Sequence, residues 1–269
     1  MKISFIGTGN MGSALAKAAA LSGMGELLLA NRTPEKAERL AAELAGTIKV
    51  CSGYEAASEG DYIFIGVKPQ MYPELFGELK PALKDRKKSF VLVSMAAGIT
   101  IEAVRELAGG AYPVIRIMPN TPAAVGEGVI LYDCSENVSE EMKDSFLKMM
   151  KPAGYIDNLE ERLMDAGSAV SGCGPAFVYM FAEALADGAV ACGLPRKKAA
   201  EYACRMLAGA AMMLLESGEN PGKLKDDVCS PGGTTICGVR ALEEGAFRAD
   251  VMNAVIAAYD RTLELKDTK

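Results

Sequence analysis

The residues of this chain that could do chemistry gather near its two ends. Near the C-terminus, Ser230-Pro231-Gly232-Gly233-Thr234-Thr235 places a capping residue and small groups before a helical stretch, the form a backbone site for a carboxylate takes. A carboxylate there would meet free N–H groups and the positive end of the helix dipole, a gain of up to ~2 kcal/mol when partly buried. Gly232 and Gly233 carry no side chain to block it. At the other end Gly7-Thr8-Gly9-Asn10-Met11-Gly12 follows the apolar run Ile3-Ser4-Phe5-Ile6. In a dinucleotide-binding turn the first glycine permits the bend, the second admits the pyrophosphate to backbone N–H groups, and the third lets helix and strand pack closely. An anion site and a dinucleotide site in one chain point to a reductase of a small carboxylate substrate. The structural alternative at the C-terminal segment is an ordinary capped helix whose glycines pack between subunits.

Ala30-Asn31-Arg32-Thr33 stands where NAD-specific sites carry an Asp or Glu for the ribose 2′-hydroxyl. Asn31, Arg32 and Thr33 offer an amide, a guanidinium and a hydroxyl to grip a 2′-phosphate, with no carboxylate to repel it, so NADPH is the expected cofactor and NADH the alternative. Arg32 also reads as a solvated loop residue and Thr33 as the cap of the next helix. Val67-Lys68-Pro69-Gln70, Met95-Ala96-Ala97-Gly98 and Met118-Pro119-Asn120-Thr121-Pro122 each follow a strand, and ligands of such sheets bind beyond the C-terminal strand ends. Small side chains and prolines there suit a flat nicotinamide lying on rigid backbone. Lys68 reads equally as a surface lysine, and Pro119 and Pro122 as loop punctuation.

The chain has no histidine and no lysine between Lys151 and Lys197. Reduction of a ketone needs a proton donor at oxygen, usually His, Lys or Tyr. An iminium carbon is already electrophilic and its nitrogen already protonated, so catalysis can rest on holding C4 of the nicotinamide against it. Glu183 and Asp187, one helical turn apart, read as polar positions on an apolar helix and not as a metal or acid/base pair. Without histidine or a Cys-x-x-Cys spacing, no metal site is expected.

These residues need a scaffold, and 269 residues are enough for two domains. Strand-like runs near 2–6, 27–30, 62–66, 89–94, 113–117 and 128–132 alternate with helical stretches such as 11–21 and 34–44. That alternation predicts a Rossmann-type, doubly wound α/β domain over 1–158. Beyond it the strand signal ends, and Ala/Met/Leu-rich helices near 160–171, 175–191, 196–217 and 234–264, broken near Gly245, predict an all-α domain over 159–269. From Ala199 to Leu215 the only charges are Glu201 and Arg205, so that helix is apolar almost all round and asks for cover. An intertwined homodimer would supply it; a central helix in a monomeric bundle is the alternative.

A net charge of −6 with both signs interspersed argues against nucleic acid as a partner. The longest apolar runs are interrupted by Gly or charges, so no membrane partner is expected. Met1-Lys2-Ile3 enters a strand at once, leaving no secretory leader, and the seven cysteines form an odd set without paired spacing, as in a reducing compartment. The expected location is the cytoplasm.

Asp227-Val228-Cys229-Ser230-Pro231-Gly232-Gly233-Thr234-Thr235-Ile236 resembles the signature of the pyrroline-5-carboxylate reductases. The glycine turn, Val67-Lys68-Pro69, Ala96-Ala97-Gly98, Met118-Pro119-Asn120-Thr121-Pro122, Ser171-Gly172-Cys173-Gly174-Pro175 and Glu183-Ala184-Leu185-Ala186-Asp187 follow in that family's order, from residue 7 to about 248. Cys173 stands where Ser is common, and Asp227 where some members carry Asn. The resemblance implies reduction of 1-pyrroline-5-carboxylate to L-proline, the last step of proline biosynthesis, by an NAD(P)H-dependent homodimer that can form a ring of dimers. It implies that Ser230, Gly232, Gly233, Thr234 and Thr235 hold the substrate, with Thr235 hydrogen-bonded to the ring nitrogen as the catalytic residue. It further implies that Gly7, Thr8, Gly9, Asn10, Met11, Asn31, Arg32, Thr33, Val67, Lys68, Pro69, Ala96, Ala97 and Gly98 contact the cofactor.

Overall fold

Apolar runs punctuated by glycine turns build a layered α/β arrangement in the first part of the chain. In the computed structural model, which describes residues 1–267, β1 (Lys2–Ile6) leads into α1 (Asn10–Ser22), β2 (Glu26–Ala30), α2 (Pro34–Glu43), β3 (Ile48–Val50), α3 (Gly53–Glu59), β4 (Tyr62–Ile65) and α4 (Tyr72–Lys84). Next come β5 (Val91–Ser94), α5 (Ile101–Ala108), β6 (Val114–Met118), β7 (Gly128–Cys134), α6 (Glu140–Met150) and β8 (Gly154–Asn158). The strands lie in the order β3-β2-β1-β4-β5-β6-β7-β8, parallel throughout except where β7 runs against β6. The order reverses between β1 and β4, and such a switch point opens a crevice at the C-terminal strand ends.

Helices on both faces explain why the central strands read as continuous apolar runs. Tyr62-Ile63-Phe64-Ile65 and Val91-Leu92-Val93-Ser94 are buried along their whole length. On one face Ile3, Phe5, Phe64 and Val93 pack with α1 and α6, and the Phe5 and Phe64 rings stack at 4.5 Å. On the other, Ile6, Ile63 and Ile65 pack with α3, α4 and α5. Two strands lie outside the sequence expectation. β3 has three residues, none fully buried, and β8 carries the polar run Tyr155-Ile156-Asp157-Asn158 on the sheet edge, so neither shows a core pattern. Thr33 is the N-cap of α2 by position, yet its side chain makes no capping hydrogen bond.

The remaining helices are α7 (Met164–Ser171), α8 (Gly174–Ala191), α9 (Arg196–Ser217), α10 (Pro221–Asp227), α11 (Thr234–Glu244) and α12 (Phe247–Asp267). The break between the last two falls at Gly245-Ala246, and Ala246, not the glycine, takes the left-handed conformation with φ 58°. Met1–Gly172, joined by the chain from Tyr259 onward, forms one compact unit, and Cys173–Ala258 a second. The compact units divide fourteen residues beyond the boundary expected after residue 158, because α7 is fastened to the sheet. Met164 and Ala169 are buried, Asp165 pairs with Arg116 of β6, and a Cβ on Gly167 would stand 2.5 Å from Leu131 of β7.

Within the second unit α8 and α9 pack side by side, and the Phe181 and Phe247 rings lie 5.6 Å apart. Only Ala199 and Ala203 of α9 are buried. Met213 is 62% and Leu215 79% exposed, with Tyr202, Met206 and Met212 also open to solvent. A central helix of a monomeric bundle would be covered, and this one is not; exposed apolar faces of this kind are typical of protein–protein contacts.

Candidate active site

The turn after β1 is built on contacts that only glycine permits. Gly7 takes φ +102°, where a side chain is strained, and a Cβ on it would stand 2.7 Å from the Gly66 carbonyl at the end of β4. A Cβ on Gly12 would lie 2.1 Å from Gly7 O, and one on Gly66 2.5 Å from the same atom. The ends of β1 and β4 and the first turn of α1 thus touch backbone to backbone. Gly9 differs, since nothing lies within 4 Å of where its Cβ would be. It is the N-cap of α1, no side chain caps it, and the first turn holds no acidic residue. Free N–H groups and the positive dipole end therefore face open space, as anion binding requires. Thr8 Oγ1 is buried without a hydrogen-bond partner. The open cradle at Gly9 and this orphaned hydroxyl fit the pyrophosphate of a dinucleotide.

A cleft of about 390 Å³ extends from this turn, lined by Gly7, Gly9, Asn31, Arg32, Thr33, Gly66, Val67 and Lys68. Asn31 lines the cleft and also has a structural part. Its Oδ1 accepts the Thr8 N–H at 3.2 Å and its Nδ2 donates to Thr33 O at 2.9 Å, so its amide ties two loops together. Arg32 and Thr33 are exposed, and Lys36 of α2 lines the same cleft. Lys36 and Gly66 escaped the sequence reading, although one lies a helical turn beyond Thr33 and the other directly precedes Val67-Lys68-Pro69. Glu74 and Glu78 of α4 also line the cleft.

The other expected cofactor residues lie outside that lining. Asn10 is exposed and Met11 half-buried in the first turn of α1, and Pro69 opens a short 3-10 turn. Ala96 is buried, Ala97 exposed, and Gly98 takes φ 72° in the turn after β5. Below these loops the buried Tyr72 hydroxyl lies 3.1 Å from both Ile65 O and Ser94 Oγ, and burial pushes its phenol well above the ordinary tyrosine range. Asn120 accepts the Val129 N–H and donates to Ser171 O, each at 2.8 Å. It holds its turn in place with groups that would otherwise be free for a ligand.

In the second unit Ser230-Pro231-Gly232-Gly233 forms a tight turn, with the Gly233 N–H donating to Ser230 O at 3.0 Å and Gly232 at φ +68°. α11 starts at Thr234 with Gly233 as its N-cap and no capping side chain. Ser230, expected as the cap, lies earlier because the turn intervenes. A Cβ on Gly233 would stand 2.3 Å from Ser230 Oγ, while nothing lies within 4 Å of one on Gly232. The first turn of α11 has no acidic residue, and Thr234 and Thr235 are exposed. Uncapped N–H groups flanked by two hydroxyls suit a carboxylate.

The family description "Pyrroline-5-carboxylate reductase dimerisation" matches residues 161–265, and "NADP oxidoreductase coenzyme F420-dependent" matches residues 2–98. Pyrroline-5-carboxylate reductase of Pisum sativum is 41% identical over 98% of this chain and 95% of its own length. The chain belongs to the pyrroline-5-carboxylate reductase family. The Escherichia coli K12 member is 38% identical over 98% of both chains. The crystal structure of Plasmodium falciparum pyrroline carboxylate reductase with NADP bound superposes with a TM-score of 0.86 at 32% identity, covering 99% of each chain.

As a pyrroline-5-carboxylate reductase the chain is an NAD(P)H-dependent oxidoreductase with a dimerisation module. That module contains the helices with the exposed apolar side chains. Glu183 and Asp187 are exposed on α8, and Asp187 pairs with Arg196 at the start of α9, an ion pair between neighbouring helices. Asp227 pairs with Lys223 at 2.8 Å one turn away.

Proposed function

We infer that the protein converts 1-pyrroline-5-carboxylate to L-proline with NAD(P)H, and that Thr235 and the uncapped start of α11 hold the imine. The observation that carries this reading is the helix start at Gly233-Thr234-Thr235, free of capping side chains and acidic residues, in a chain of this family. Bound NAD(P)H supplies a hydride. The N–H groups opening α11 take the carboxylate, and Gly232 leaves room for the ring. The Thr235 hydroxyl accepts the iminium N–H and fixes which ring carbon faces the reductant. Because the nitrogen brings its own proton, the chain needs no imidazole or lysine at this step.

Arg32, Thr33 and Lys36 support a preference for NADPH over NADH, each presenting a donor to a 2′-phosphate with no acidic residue at the end of β2. The loops 67–69 and 95–98 carry the nicotinamide in this reading, beyond the ends of β4 and β5. The assembly we propose is a homodimer through the exposed faces of α8 and α9, with a ring of dimers as its larger form. Nucleic acid and membrane have no part in it. One helical stretch among the described residues, Glu161–Ala191, is long and apolar enough to span a bilayer, but its first part, α7, packs on the sheet, and its second, α8, belongs to the dimerisation module, where a partner chain would cover it. A cytoplasmic location agrees with seven cysteines that are all free.

The test follows NADPH and NADH oxidation by the purified protein with 1-pyrroline-5-carboxylate and with its six-membered homologue. Turnover confined to the five-membered imine supports the assignment. Tight NADPH binding without turnover of either imine would sink it.

A further inference from the structure

Arg116 is the largest fully buried side chain among the described residues and sits in β6 among apolar residues. Packing alone would be served as well by an apolar side chain of similar volume. A guanidinium adds direction: its Nη1 donates to Glu161 Oε1 at 2.9 Å and its Nη2 to Asp165 Oδ1 at 3.4 Å, while Nε has no partner. Glu161 Oε1 also accepts the Ile101 N–H at 2.8 Å, and the Glu161 N–H donates to Asp133 Oδ2 at 2.6 Å. Asp133 stands opposite Arg116 in the β6–β7 ladder.

Ile101 opens α5, and its N–H lacks a partner inside the helix. Glu161 supplies one from sixty residues away. α5 begins two residues beyond the turn Met95-Ala96-Ala97-Gly98, with the buried Ile99 and the capping Thr100 between them, so what fixes Ile101 restrains the chain that leaves that turn. On the other side Ser94 is the register neighbour of Arg116, and its Oγ meets the Tyr72 hydroxyl, which also meets Ile65 O. A buried polar row thus runs beneath the loops that leave β4, β5 and β6.

We propose that Arg116, acting through Glu161, is a positioning residue for hydride transfer: the hydrogen bonds that Glu161 Oε1 accepts from the guanidinium and from the Ile101 N–H lock the start of α5, and with it the 95–98 turn, against β6. This rests on the reading above that the nicotinamide lies against that turn. Arg116 touches no substrate; it holds Glu161 so that one carboxylate oxygen serves both the guanidinium and the Ile101 N–H.

Three full-length variants test this: Glu161→Ala, Glu161→Gln and Ala97→Leu. The readouts are kcat, the NADPH Kd, the primary isotope effect with NADPH deuterated at C4, and the thermal midpoint. For Glu161→Ala we expect kcat to fall roughly tenfold and the isotope effect to rise, with the NADPH Kd moving less than about threefold. Glu161→Gln, which keeps an acceptor for the Ile101 N–H, is expected to recover kcat to within about threefold of the parent. An unchanged kcat in Glu161→Ala, or equal losses in both variants that track the thermal midpoint with no change in isotope effect, would overturn the proposal. Ala97→Leu separates the two layers of the reading. If it leaves NADPH affinity intact, the nicotinamide placement fails; if it weakens NADPH while Glu161→Ala keeps its kcat, only the positioning role fails.

Discussion

The Asn31 side-chain oxygen lies 3.2 Å from the Thr8 backbone nitrogen, so the residue after β2 restrains the turn after β1. An aspartate at this position would keep the acceptor for Thr8, lose the donor to Thr33 O, and add a negative charge beside Arg32. Asn31→Asp should therefore weaken NADPH roughly tenfold, about 1.4 kcal/mol, and leave NADH within about threefold. Arg32→Ala should likewise cost NADPH much more than NADH. Fluorescence titration with both nucleotides checks this, and equal losses would show that neither residue reads the phosphate.

Gly9 and Gly12 should respond in opposite ways to one added methyl group. Gly12→Ala pushes a Cβ to 2.1 Å from Gly7 O and should destabilise the fold by roughly 1–3 kcal/mol. Gly9→Ala meets nothing within 4 Å, so the denaturation midpoint should hold while NADPH affinity falls. Urea titration beside cofactor titration decides the matter; a stable Gly12→Ala variant would mean the close contact relaxes easily.

Thr235→Ala should lower kcat/KM for the imine roughly 10- to 100-fold, from the ~1.5–3 kcal/mol of a hydrogen bond to a charged group. NADPH affinity should not change, and Thr235→Ser should restore most of the activity. Steady-state kinetics suffice, and Ala activity within threefold of the parent would remove the hydroxyl from the mechanism.

Met213 is 62% exposed on α9. Met213→Glu places a charge on the apolar face and should shift the protein toward monomer with loss of turnover. Light scattering after size exclusion reads the mass directly; an undisturbed assembly would place the interface elsewhere on the module.

Burial pushes the Cys51 thiol up from 9.0 to about 11, with Glu55 adding to the shift, and burial with Asp133 does the same to Cys134. Below pH 9 both thiols are protonated in the folded and unfolded chains alike, so their contribution to stability is complete. Between pH 9 and 11 the unfolded chain releases protons that the folded chain keeps, and stability falls as pH rises. The urea midpoint should drop over that interval, and a Cys51→Ala/Cys134→Ala variant should show a shallower drop. A slope unchanged by the double substitution would assign the effect to other groups.

Much of the scaffold was legible in local pattern. Ile3-Ser4-Phe5-Ile6 before Gly7, and the buried runs at Tyr62–Ile65 and Val91–Ser94, announce strands because both of their faces meet helices. β3 and β8 stayed hidden because edge strands bury little and show little hydrophobic pattern. The start of α11 at Thr234 was legible, but its cap was not: Ser230-Pro231-Gly232 satisfies capping chemistry and a turn equally well, and only the backbone path makes Gly233 the N-cap.

By itself the sequence determined the alternation of the central strands with helices and the switch to an all-helical second part, the glycine positions at the cofactor turn, and the absence of imidazole that favours an iminium substrate. These follow from periodicity, small side chains and composition, all properties of neighbouring residues. Only the tertiary structure decided that Asn31 serves Thr8, that Asn120 serves Val129 and Ser171, that α7 belongs with the sheet, and that Arg116 joins β6 to Glu161 and so to the start of α5. In each case a polar group spends its hydrogen bonds on a partner distant in sequence. Strand register and helix packing choose that partner, and no local pattern encodes it.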